Sequence, residues 1–69
     1  MEGITVRAYK VSKESELTME EKLEAVMGYG VADLLYVIRE FEENPGKYEP
    51  EVIKQIGLQL MDKGIMLIY

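Results

Sequence analysis

Residues 3–11, GITVRAYKV, are rich in β-branched side chains and read as a strand. Ile4, Val6 and Ala8 fall on one face of that strand and Tyr9 and Val11 on the other, so both faces are partly covered or a bulge intervenes. A polar linker, SKESE, follows at 12–16, and beyond it the apolar period lengthens from two to that of a helix. Thr18 with Glu21 three residues on is the signature of a capping box, so a helix begins there. Met19, Leu23, Val26 and Met27 share one side of it, while Glu20, Glu21 and Glu24 occupy the neighbouring arc.

The glycines of GYG, 28–30, interrupt this helix because glycine is a poor helix former. The next segment, VADLLYVIREFEEN, predicts a second helix with Val31, Leu34, Leu35, Val37, Ile38 and Phe41 inward. Asp33, Tyr36, Arg39, Glu40 and Glu43 lie opposite. A single kinked helix over 19–43 is the competing reading. NPGKY at 44–48 is a turn, and Pro50 suits the first turn of a third helix running to about Lys63. Val52, Ile53, Ile56, Leu60 and Met61 cover one side of that helix. Gly57 among them suggests close approach by another backbone, and Leu58 sits outside with Gln55 and Asp62. Lys63 and Gly64 end the helix, with a cation in the last turn and glycine beyond it. The apolar run Ile65, Met66, Leu67, Ile68 and Tyr69 then fits a second strand.

The predicted fold is therefore α/β (α+β) in the order β–α–α–α–β, a single domain over 1–69. Its two strands pair as a two-stranded sheet on three short helices. A two-stranded ribbon is marginal alone, so the sheet is expected to extend across a homodimer through Ile65–Tyr69. Full internal cover by the helices and strand addition by a foreign partner are the alternatives.

Composition adds to this picture mainly by exclusion. A 69-residue chain buries only about 60% of its unfolded surface, and without cysteine no disulfide or thiolate zinc site can help it. With no His either, Ser-His-Asp and Cys-His relays and HExxH zinc sites are ruled out. Ser12 and Ser15 lie in the linker without a nucleophile-elbow context. The N-terminus lacks a signal-peptide pattern and no run is long enough to span a bilayer, so the chain is expected to be cytoplasmic and off the membrane. Eleven acids from Glu14 to Glu51 face only Lys22, Arg39 and Lys47, a local balance of −8 within a net charge of −5. An acidic middle opposes direct nucleic-acid binding and permits a basic protein partner.

Carboxylates are the abundant chemical resource. Glu20, Glu21 and Glu24 form E-E-x-x-E on the first helix, and Glu40 with Glu43 forms E-x-x-E on the second, spacings that share a helix face. Four such carboxylates could hold Mg²⁺. In this respect alone the chain resembles the all-α NTP pyrophosphohydrolases of the MazG type. The resemblance implies Mg²⁺-dependent hydrolysis on those glutamates, but Glu43 stands where the family has a closing Asp and no Lys or Asn cluster for a nucleobase is evident. The reading set against it is a solvated acidic face, because these glutamates lie opposite the apolar stripes. GYG likewise reads as a helix–helix corner with Tyr29 exposed at its tip, and less well as a phosphate cradle, since no strand precedes it. Tyr36 and Tyr29, with large contact area and one polar end, join Leu58 as candidate interface residues.

The sequence thus favours a small acidic, non-enzymatic protein–protein interaction module of bacterial or phage accessory type, without cofactor or metal. An inhibitor that imitates nucleic acid with its glutamates is one alternative, and the Mg²⁺-dependent hydrolase is the other.

Overall fold

In the computed structural model of the chain, residues 3–65 are described. All regular structure among them is helical: α1 (Ile4–Lys10), α2 (Met19–Met27), α3 (Val31–Glu43), a 3-10 turn (Pro45–Lys47) and α4 (Pro50–Asp62). This corrects the expected β–α–α–α–β order. No strand and no sheet occur among the described residues, and a homodimer joined through that sheet loses its basis.

The first strand is overturned by residues 4–11 themselves. Ala8 and Val11 are buried and Ile4 is half-buried, a spacing of four and three that belongs to a helix face, while Val6 and Tyr9 face outward. The β-branched residues did suit a strand, but packing of this face on α3 outweighs intrinsic preferences worth only tenths of a kcal/mol per residue. Beyond α1, Ser12 is buried and its hydroxyl donates to the Tyr9 carbonyl at 2.7 Å. The Lys13 N–H then ties the linker to the Lys47 carbonyl at 2.9 Å.

Of the expected second strand only Ile65 is described, and it does not open one. Gly64 adopts φ +83°, its N–H bonds to the Met61 carbonyl at 3.0 Å, and the Ile65 N–H bonds to the Leu60 carbonyl at 2.9 Å. These two bonds with a left-handed glycine are a Schellman stop, in which the residue after the glycine packs back on the helix. Ile65 does this, half-buried against the core, and so completes the end of α4 instead of opening a strand. The remainder of the expected strand and interface, Met66, Leu67, Ile68 and Tyr69, lies outside the described residues.

The three longer helices fall where the pattern put them. Thr18 caps α2 as predicted: its hydroxyl oxygen accepts from the Glu21 N–H at 3.1 Å, and the Glu21 carboxylate accepts from the Thr18 N–H at 2.8 Å. Gly28–Gly30 separates α2 from α3, so residues 19–43 form two helices and not one kinked helix. Pro50 opens α4 in its first turn.

Helix α3 is the centre of the molecule, touching α1, α4 and the 3-10 turn, and α2 packs chiefly on α4. The fully buried layer is Val26 from α2, Leu34 and Val37 from α3, Val52, Ile56 and Leu60 from α4, with Val11 and Tyr48 from the connections. The inward faces are rotated slightly from the predicted stripes. Leu35, Met27 and Met61 turn outward, whereas Lys22, predicted on no apolar face, turns in. Gly57 has open space beside it, with no described atom within 4 Å of a Cβ built there, so no backbone approaches closely.

Candidate interaction surface

Ion pairs among the described residues organise the polar side of the molecule. Lys22 is only 4% exposed and its ammonium donates to both oxygens of Glu49, at 3.1 and 3.2 Å. Glu49 is the residue immediately before α4, so its carboxylate neutralises a buried cation and sits at the positive end of a 13-residue helix. Arg7 Nε lies 2.9 Å from Asp33 Oδ2 and joins α1 to the first turn of α3. Lys47 Nζ lies 3.2 Å from Glu40 Oε1 and holds the 3-10 turn on α3.

Tyrosines fill the gaps between these pairs. Tyr29, expected to be exposed in the corner, is half-buried, and its hydroxyl donates to the Arg7 carbonyl at 2.8 Å. Tyr36 is half-buried beside the core. Tyr48, the residue after the 3-10 turn, is buried with the Lys47 ammonium 6.0 Å from its ring centre. Burial, reinforced by the nearby Glu40 carboxylate and by Tyr36, pushes its phenol up to about 12.

The predicted acidic residues scatter over these functions. Glu21 is held by Thr18: the Thr18 N–H, and then its hydroxyl, keep this carboxyl below the usual carboxylate range. Glu40 is paired with Lys47, while Glu20, Glu24 and Glu43 are exposed. No group of three or more Asp or Glu side chains comes together as an ion-holding cluster among the described residues. The four-carboxylate arrangement that the MazG-type resemblance requires is therefore not assembled there. Leu17, Ala25 and Tyr29 do line an open hollow of about 560 Å³ together with Glu21 and Glu24.

The surface without an internal explanation is apolar. Leu58 is 50% exposed and Met61 68% exposed on α4, and Met27 is 61% exposed on α2. Leu23 and Leu58 line an open groove of about 410 Å³ between α2 and α4, with Glu51, Lys54 and Gln55 along it. Met27 is one turn beyond Leu23 on α2, and Met61 one turn beyond Leu58 on α4. The two methionines thus lie on the helices that form the groove, each one turn from a residue of its lining. Leu58 was legible in advance as an outward leucine, whereas Met27 and Met61 were assigned inward. Their exposure follows from the rotation that places Lys22 and Leu60 at the α2–α4 contact.

Comparison with protein-family models, with curated proteins and with solved structures finds no match to this chain. None of the helices formed by the described residues is long and apolar enough to cross a membrane.

Proposed function

We propose that this protein is a non-enzymatic interaction module whose contact surface is the strip formed by Leu23 and Met27 of α2 with Leu58 and Met61 of α4. The observation that carries this reading is the exposure of Met27, Leu58 and Met61 beside a groove that already has an apolar lining. Single exposed leucines are ordinary, but adjacent large apolar side chains on two packed helices, flanked by charge, have the composition of an interface core and rim. Methionine suits such a surface because its unbranched, polarisable chain adapts to the shape of a partner. The acidic residues then act as rim and as solubilising charge, and several of them cap or pair within the chain.

A photo-activatable cross-linker placed at position 58, and in a second protein at Glu20 on the exposed acidic face, tests this. Adducts with another polypeptide chain, formed from position 58 and not from position 20, are the expected result. No adduct from 58, or equal yields from both positions, would refute it.

A further inference from the structure

Sulfur enters this chain only as thioether: it has five methionines and no cysteine. No thiolate competes for a hydroperoxide, so its oxygen goes to methionine. Among the described residues the fold sorts the methionines into two kinds. Met19 is half-buried against the core, whereas Met27 and Met61 are 61% and 68% exposed, each one turn from a residue lining the α2–α4 groove. We infer that Met27 and Met61 are oxidation sites, and that their conversion to sulfoxide by a hydroperoxide weakens the contact surface while leaving the fold in place. This inference rests on the reading of Leu23, Met27, Leu58 and Met61 as a contact surface.

The step is a two-electron oxygen transfer. The thioether sulfur attacks one peroxide oxygen, the O–O bond breaks and an S–O bond forms. The proton of the transferred oxygen passes to the departing oxygen, which leaves as water when the oxidant is hydrogen peroxide. Sulfur is oxidised, the peroxide is reduced, and no charge on the protein changes. An apolar, adaptable side chain has become a polar one. Water solvates the new oxygen while the surface is free, but an apolar partner would have to strip that water away without returning a hydrogen bond. Neither Met27 nor Met61 belongs to the buried layer, so the fold gives up no core contact. Leu58 carries no sulfur and stays apolar, so the surface is weakened and not erased. Methionine sulfoxide is also reducible by the two reductases that take one epimer each, which makes the change reversible.

Hydrogen peroxide treatment of the full chain followed by peptide mass mapping tests the chemical half. Met27 and Met61 should gain oxygen several-fold faster than Met19 in the folded protein, and all three at similar rates in denaturing urea. Met19 oxidised as fast as the other two in the folded chain overturns the inference. The urea midpoint of the oxidised protein should match that of the untreated one, and a large fall overturns the inference too, because the modification then damages the fold. The other half is read from the cross-linker at position 58, on protein oxidised first and freed of peroxide. Adduct yield should fall several-fold, recover after treatment with both reductases, and be indifferent to peroxide in a Met27→Leu, Met61→Leu double variant. A yield that oxidation leaves unchanged, or lowers equally in the double variant, overturns the inference and leaves the contact surface standing. Absence of adducts before any oxidation refutes the contact surface itself, and the switch falls with it.

Discussion

The α1–α3 side of this molecule and its α2–α4 side are built on different terms. Helix α1 is seven residues long, and polar bonds close over it: Arg7 to Asp33, the Tyr29 hydroxyl to the Arg7 carbonyl, and Ser12 back to Tyr9. On the other side, α2 and α4 meet through Val26, Val52, Ile56 and Leu60, with the Lys22–Glu49 pair at one end, and they keep apolar side chains on the outside as well. A seven-residue helix has no stability of its own in water, so α1 depends on those specific bonds and on its small buried face. A surface tied down by specific polar bonds has little left to offer a partner. The α1–α3 side also leaves Val6, Tyr9 and Leu35 outward, at 45%, 50% and 40% exposure, while the α2–α4 side leaves Met27, Leu58 and Met61 at 61%, 50% and 68%.

Core truncation should affect the α2–α4 side most. Ile56→Ala removes a fully buried side chain between helices and is expected to cost about 3–4 kcal/mol, read as a lower urea midpoint with unchanged slope. A cost below about 1 kcal/mol would mean that α2 and α4 are not held by this layer. Lys22→Ala comes next, at about 2 kcal/mol, since it deletes the buried stem and leaves Glu49 without its partner. Glu49 keeps some exposure and can hydrate, so Lys22→Met, which preserves the stem, should cost less than Lys22→Ala in the same urea titration. Equal costs for the two would show that the charge pair matters and the stem does not.

A smaller effect, confined to alkaline solution, is expected around α3. Tyr48 holds its proton to about pH 12 in the folded chain, while an unfolded tyrosine loses it near 10. The folded state binds the proton more tightly, so the stabilisation is fully present below about pH 10 and is lost as pH rises through about 12. Tyr48→Phe should flatten the loss of stability over this window in a series of thermal melts, and an unchanged profile would place the titrating group elsewhere. Smallest of all, Gly57→Ala in α4 is expected to stabilise the fold by about 0.5–1 kcal/mol, because a methyl group there meets open space and alanine is the better helix former. A destabilised Gly57→Ala variant would mean that something packs on that face of α4.

The helix boundaries of α2, α3 and α4 were legible without coordinates, and so was the polar–glycine–proline punctuation between them. Caps and stops are made by residues a few positions apart, and Thr18 with Glu21, or Gly64 after Lys63, carry the whole signal locally. The same locality makes the outward position of Leu58 readable. The candidate surface was legible only in that one residue, because exposure of Met27 and Met61 depends on how far each helix turns about its own axis against its neighbour. Periodicity places the apolar residues to within one side chain of the true face and no better.

What the sequence by itself determined, then, is where α2, α3 and α4 begin and end, because hydrogen bonds within one turn settle that. Tertiary structure decided the rest. Residues 4–10 carry strand-like propensity and became a helix because Ile4, Ala8 and Val11 find α3 at helical spacing. Lys22 went inside because Glu49, 27 residues away, supplies an opposite charge that makes its burial tolerable. Ile65 turned back onto α4 because the apolar contact that follows a left-handed glycine was already waiting there. For residues 4–10 and for Lys22 a distant contact outweighed a local preference of a few tenths of a kcal/mol per residue, a margin that pattern along the chain does not carry.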